Sequence, residues 1–185
     1  MPYKRPESVL VVVYTLAGEV LVLRRRQPAD FWQSVTGSLK WEETEPLQAA
    51  CRELLEETGL GAGLTLVDCE TTYRFPILPA WQPRYGDARE NTEYVFRVAL
   101  PERLPVRLNP EEHSEYQWLP REEAAARVSS YTNREAIVQF VPAHHDGGEL
   151  CKRPPHDLRD ISFNPHADNM QYDCKIVKTI YQQEF

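Results

Sequence analysis

The sequence predicts an α/β fold in which a mixed β-sheet lies between helices. Three observations predict it. Residues 8–14 (SVLVVVY) form an apolar, β-branched run with the composition of a central strand. Residues 44–58 repeat their apolar positions with helical period. The other periodic segments follow in the order strands, helix, strands, helices, which is the order of a layered sheet-and-helix domain.

Taken along the chain, residues 8–14 are expected to be the central strand. Leu16-Ala17-Gly18-Glu19 reads as a turn and residues 20–23 (VLVL) as the returning strand of a hairpin. Arg24, Arg25 and Arg26 follow at its exit. Residues 31–39 (FWQSVTGSL), with Gly37 near their centre, read as a short or irregular strand. The helix over 44–58 has Thr44 or Glu45 to cap it, Pro46 in its first turn and Gly59 to close it. Its buried stripe is Leu47, Ala50, Cys51, Leu54 and Leu55. Residues 64–73 and 92–99 predict two further strands, separated by a polar, proline-containing loop over 79–89. A short strand is expected over 116–119 and helices over 121–127 and 133–141.

From Pro142 the texture changes, and residues 144–148 (HHDGG) read as a linker. Two regions are therefore expected: a folded domain over 1–143 and an extension over 144–185, peripheral or poorly ordered and with no assigned role. The tail residues His144, His145, Cys151, His156, His166 and Cys174 match no zinc-binding spacing.

Composition narrows the function classes. A chain of 185 residues can bury a core without covalent staples. No apolar run is long enough to span a membrane, and the N-terminus lacks the pattern of a signal peptide, so the expectation is cytoplasmic. The four cysteines form no CxxC pair, and Cys51 and Cys69 read as free core thiols. A formal net charge of −7 argues against a general nucleic-acid binder. Such a protein takes an anionic ligand only where a held cation or a local basic cluster reverses the sign.

Residues 37–60, GSLKWEETEPLQAACRELLEETGL, hold the densest chemistry. At about 100° per residue, Glu53, Glu56 and Glu57 fall together on the helix side opposite the apolar stripe. Like charges at i+3 and i+4 destabilise a bare helix. A hard divalent cation, which seeks carboxylate and phosphate oxygens together, removes the conflict. Arg52 lies beside this side and has the geometry to clamp one carboxylate. The plain alternative is a solvated, glutamate-rich helix surface.

The residue string decides between these. RELLEETGL matches the REUxEExGU half of the Nudix signature, with U an apolar residue, and Gly37 and Glu43 match its GxxxxxE half. The chain resembles a Nudix hydrolase. That resemblance implies a Nudix-type α/β/α sandwich with a mixed central β-sheet. It also implies a pyrophosphohydrolase dependent on Mg²⁺, with Mn²⁺ as a substitute. It makes Glu53 and Glu57 the principal metal ligands, Glu56 a ligand or base, and Arg52 the orienting residue. One departure stands out. Eight residues, 44–51, separate Glu43 from Arg52 where the family has seven. The extra residue is expected before the helix begins, where Glu45 competes for the part of Glu43.

Outside the signature, YKRPESVLVVVY, RRRQPADFWQSVTGS, ENTEYVF, EEHSEYQWL and YTNREAI resemble the branch of the family that acts on dihydroneopterin triphosphate in folate synthesis, over residues 1–141. This implies conversion of 7,8-dihydroneopterin triphosphate to the monophosphate and pyrophosphate. It implies substrate contacts from Lys4 and Arg25, a site lined by Thr36, and a pocket bordered by Phe75, Pro76, Ile77 and Leu78. Glu112 would be a further metal ligand and Ser130 a further substrate contact. Pro76 departs from the polar residue expected there. Each assignment has a plainer alternative: solvated strand ends for Lys4 and Arg25, a loop carboxylate for Glu112, a turn hydroxyl for Ser130. Trp32 and Phe75 either stack on a pterin ring or fill the core. His113 reads as structural rather than as a base. The competing functions are a housecleaning nucleoside triphosphate or dinucleoside polyphosphate pyrophosphatase, and a non-catalytic Nudix-like ligand-binding module. The expected partner is a small-molecule triphosphate, with no nucleic acid and no membrane, and the protein a monomer or homodimer.

Overall fold

A computed structural model describes residues 3–143 and the backbone of 175–177. The expectations for the rest of the 144–185 extension, its histidines and cysteines included, lie outside the described residues. The central strand is β1 (Glu7–Thr15), whose residues from Val9 to Val13 are buried on both faces of the sheet. That burial is what a continuous β-branched run requires. Gly18, with φ near 80°, closes the turn into β2 (Glu19–Arg25).

The hairpin then splits. β1 and β2 share only the Tyr14–Val20 pair, because β4 (Val35–Ser38) takes the same edge of β1 from Ser8 to Val11. β2 instead pairs with β3 (Trp32–Gln33) and with β7 (His113–Pro120). The other edge of β1 runs parallel to β6 (Glu90–Leu100), and β5 (Thr65–Pro76) lies antiparallel beside β6. A short strand from the extension, β8 (Lys175–Val177), adds to β5 in parallel. The sheet is therefore mixed, in the order β3-β2-β1-β6-β5-β8 with β4 on β1 and β7 on β2.

Helix α1 (Pro46–Thr58) covers one face, over Val9, Val11, Val13, Phe96 and Val98. Helices α2 (Arg121–Arg127) and α3 (Tyr131–Phe140) cover the other, over Leu10, Val12, Val20, Val22 and Val95. This is the α/β/α sandwich the sequence predicts. Among the described residues no helix is long and apolar enough to cross a membrane.

Several boundaries move. Residues 31–39 resolve into β3 and β4. β5 extends to Pro76, so Phe75 and Pro76 are strand residues. β7 begins at His113 and α3 at Tyr131, both earlier than their apolar patterns suggest. The acidic side of α1 is also not solvated: Glu53 is 8% exposed and Glu57 1%, because β4 lies across that side. Of the three helix carboxylates only Glu56 faces solvent. Cys69 is a free thiol, as expected, and burial pushes it up to about 12.

Candidate functional site

The site begins in the turn before α1. Lys40 N–H donates to Glu43 Oε2 at 2.6 Å, and Glu43 N–H donates to the Lys40 carbonyl at 3.1 Å. Pro46 brings no donor to the first helical turn, and the Gln48 side chain accepts from the N–H groups of Thr44 and Glu45. Glu45 therefore sits at the N-cap, outside the site, while Glu43 turns inward. The extra residue is absorbed in this turn, and Glu43 rather than Glu45 meets Arg52.

Arg52 is the hub. Its Nε donates to Glu43 Oε1 at 2.7 Å and its Nη2 to Glu43 Oε2 at 3.1 Å, a two-point clamp. Nη1 donates to Glu53 Oε1 at 2.6 Å and to Glu56 Oε2 at 3.0 Å, and Nη2 also reaches the Ser38 carbonyl at 3.0 Å. Burial works to lower the guanidinium pKa, but the hydrogen bond to Glu43 and the charge of Glu53 raise it overall. Glu43 is held below its ordinary value, since the Arg52 and Lys40 hydrogen bonds outweigh its burial.

Glu53 and Glu57 are shifted the other way. Burial pushes Glu53 up to about 7, against the pull of Arg52 and with the repulsion of Glu57 and Glu56. Gly37 makes the room for it: a Cβ there would lie 1.8 Å from Glu53 Cδ. Glu57 is raised mainly by burial, opposed by His113 and reinforced by Glu112. Its Oε2 accepts from Thr36 N–H at 3.4 Å, and its Oε1 lies 3.3 Å from His113 Nε2. That approach is close but poorly aligned, and neither ring nitrogen of His113 has a hydrogen-bond partner.

Glu112 joins this group through a turn. Both Glu112 N–H and His113 N–H donate to the Asn109 carbonyl, so two successive residues turn to the same place, as a regular strand would not allow. Glu57, Glu112 and His113 each offer a ligand atom within 4.8 Å of the others. The Glu57 carboxylate, raised by its burial, and Glu112 beside an imidazole with two unsatisfied nitrogens fit a divalent cation. His113, expected to be structural rather than a base, lies beside Glu57 and Glu112 in this group.

Beside these acids lies a cleft of about 330 Å³, lined among others by Lys4, Ser38, Lys40, Trp41, Arg52 and Glu53. Lys4 is tied down by its N–H to the Arg84 carbonyl at 2.8 Å. Burial and the nearby cations Arg84 and Arg25 lower its pKa, against the pull of Glu53 and Glu112. Cations and carboxylates thus meet around one opening, as a phosphate chain with a divalent ion requires. Arg25 donates from Nε to the Gln27 carbonyl at 3.1 Å.

The remaining predicted residues lie elsewhere. Thr36, opposite Leu10 across the β1–β4 pair, directs its side chain to the α3 side of the sheet. Ser130 caps α3, its Oγ accepting from Asn133 N–H at 3.2 Å. Phe75 lies opposite Asn91 and Pro76 opposite Glu90, while Ile77 is buried and Leu78 is 58% exposed. None of these six lines the cleft. Trp32 is buried in the core on the α2–α3 side, with the Arg127 guanidinium 5.2 Å from its ring centre.

Comparison with known proteins gives consistent results. A model of the NUDIX domain matches residues 4–142. The chain is 46% identical over 144 residues to dihydroneopterin triphosphate diphosphatase of Escherichia coli K12, covering 75% of this chain and 94% of that protein. It is 36% identical over 147 residues to the protein of the same name from Haemophilus influenzae, covering 76% and 90%. The solved structure of the E. coli dihydroneopterin triphosphate pyrophosphohydrolase superposes with a TM-score of 0.70 at 45% identity, covering 76% of this chain and 98% of that one.

Proposed function

The chain belongs to the NUDIX family, and from that membership we propose that it hydrolyses 7,8-dihydroneopterin triphosphate to dihydroneopterin monophosphate and pyrophosphate. As a Nudix hydrolase it works with a divalent metal, and Mg²⁺ is the ion proposed here because oxygen donors predominate in the site. The neighbouring imidazole makes Mn²⁺ an acceptable substitute. The observation that carries the reading is the 46% identity across 94% of a relative named for this substrate. The free Cys69 thiol suits a reducing, cytoplasmic setting.

In this reading Glu53, Glu57 and Glu112 hold the cation, with His113 beside them. A bound divalent ion neutralises phosphate charge and acidifies a water molecule. The chain does the rest. Lys4 grips the phosphate chain from the cleft wall, and Arg25, whose charge reaches Lys4, adds a second cation beside it. Arg52 fixes Glu53 and Glu56 in register on α1, which is where positional catalysis is won or lost. Glu56, the solvent-facing carboxylate of the three, accepts the proton of the attacking water or completes the ligand set. Water adds to phosphorus, the bridging P–O bond breaks, and pyrophosphate leaves.

The test is a substrate panel with product identification. Purified protein with Mg²⁺ is given dihydroneopterin triphosphate, nucleoside triphosphates and dinucleoside polyphosphates. Release of pyrophosphate from the pterin, with the highest kcat/KM of the panel, is the expected result. Good turnover of a nucleotide with none of the pterin would reject the substrate and keep the hydrolase class.

A further inference from the structure

On the face of the sheet away from α1, three buried polar atoms lack hydrogen-bond partners: Tyr73 Oη, Asn91 Oδ1 and Glu93 Oε2. The three residues are neighbours. Tyr73 lies directly opposite Glu93 across the β5–β6 pair, and Asn91 is two residues before Glu93 on the same face. Glu93 is 5% exposed and Asn91 4%. A buried acceptor without a donor costs free energy comparable to a lost hydrogen bond, so such atoms clustered in one place need a reason.

The unmet valence has a defined sense. Asn91 already spends its Nδ2 on Ser8 Oγ at 2.6 Å, which leaves its carbonyl oxygen as the unused group. Thr132, in the first turn of α3, hydrogen-bonds the Glu93 carboxyl, and Oε2 is left over. Two acceptors therefore stand side by side and call for a ligand with two N–H donors on one edge. The surroundings are aromatic. The Tyr73 and Tyr131 rings meet edge to face at 6.4 Å, and Phe75 is opposite Asn91 on the same face. Strand β4 links this place to the acidic site, because Thr36 gives its N–H to Glu57 while its side chain points to the α3 side.

We propose that Glu93 and Asn91 form the floor of a subsite for the substrate's heterocycle, accepting the exocyclic 2-amino group and the adjacent ring N–H of a pterin- or guanine-like edge, with Tyr73 and Phe75 as its aromatic walls. The proposal rests on the reading that the substrate is a pterin triphosphate, and it assigns the specificity of that reaction to residues outside the cleft and outside the signature helix. A site built to pair buried acceptors with N–H donors discriminates strongly against a ligand that lacks them.

Two measurements test it on the full chain. The first is binding of free neopterin, without phosphates or metal, followed by its own fluorescence. The second is the kcat/KM ratio of dihydroneopterin triphosphate to inosine triphosphate, which has no 2-amino group. Wild type should bind neopterin, and Glu93→Gln should weaken that binding and lower the ratio by about 10- to 100-fold, chiefly through KM. Asn91→Ser should act in the same direction and serves as the second variant if Glu93→Gln misfolds. Wild type that does not bind neopterin, or variants that bind it and select the pterin as wild type does, would overturn the subsite. Wild type that hydrolyses the pterin with selectivity indifferent to Glu93 keeps the activity and sinks the subsite. Wild type that binds neopterin through Glu93 yet leaves the triphosphate intact keeps the subsite and sinks the activity.

Discussion

Arg52 grips Glu43 at two points, 2.7 and 3.1 Å, from the second turn of α1 back to the turn that precedes the helix. This clamp sets the angle at which Glu53 and Glu56 are presented, since the same guanidinium holds both. Breaking a buried, shared ion pair by removing one partner leaves uncompensated charge and costs about 3 kcal/mol or more. Arg52→Met, which removes the charge, should carry that full cost. Arg52→Lys keeps the charge but cannot form the fork, so it should lower the melting midpoint and reduce kcat by at least about tenfold. Glu43→Gln should do the same more mildly. Glu45→Gln, at the exposed cap, should leave stability within about 0.5 kcal/mol. A loss at Glu45 equal to that at Glu43 would show that the wrong glutamate has been assigned to the clamp.

Gly37 separates stability from activity. Its missing Cβ leaves the space that the Glu53 side chain fills. In Gly37→Ala the flexible carboxylate arm has to move, while the backbone of β4 does not. The expected outcome is a folded protein, with the melting midpoint reduced by an amount equivalent to about 1 kcal/mol, and with kcat down by roughly 100-fold. Thermal melting and steady-state kinetics on one preparation check both halves. A variant with full turnover would mean that the Glu53 position is not needed.

Much of this was legible in the sequence, for identifiable reasons. A strand buried on both faces has to be apolar throughout, so β1 announced itself. The α1 stripe has to repeat with helical period, and the capping residues around it bound the helix. What the sequence concealed came from tertiary cover. A helical wheel gives the direction of Glu57 but not the strand laid across it, so the burial of Glu53 and Glu57 has no signature in the helical period. The place of His113 beside Glu57 and Glu112 was not legible, because two successive residues share one direction only through the Asn109 turn, a backbone event with no periodic signature. Glu93 was passed over because a lone acid in an alternating strand looks like an outward-facing residue, and only the packing of α3 shows that it faces in.

Glu57→Gln tests the cation site with a readout besides turnover. The carboxylate is nearly inaccessible and burial disfavours its charge, so the neutral amide should leave stability in metal-free buffer unchanged or slightly higher. Any ion that binds only the folded state raises its stability, by about 2.7 kcal/mol at a hundredfold excess over Kd. Wild type should therefore melt higher as Mg²⁺ or Mn²⁺ is added, and Glu57→Gln should lose most of that rise together with at least about 100-fold in kcat. An identical metal-induced rise in the variant would remove Glu57 from the ligand set.

Glu93 also gives a pH dependence whose sign can be worked out. Burial pushes its carboxyl from 4.5 up to about 7, with only the Thr132 hydrogen bond pulling the other way. Below the ordinary value both folded and unfolded chains carry the proton, and the contribution to stability is complete. Between about 4.5 and 7 the unfolded chain releases the proton and the folded chain keeps it, so stability falls as pH rises. Above about 7 both are ionised and the slope ends. At about 1.4 kcal/mol per unit, the loss across that window has a ceiling of about 3 kcal/mol. Other shifted acids, Glu53 among them, slope in the same window, so the informative quantity is wild type minus Glu93→Gln. Calorimetric melts of the metal-free proteins from pH 4.5 to 7.5 should show wild type losing stability relative to the variant as pH rises. A difference that stays constant across the window would mean that Glu93 ionises in the folded protein as it does in the unfolded chain, and that its burial is relieved by a partner this fold does not show.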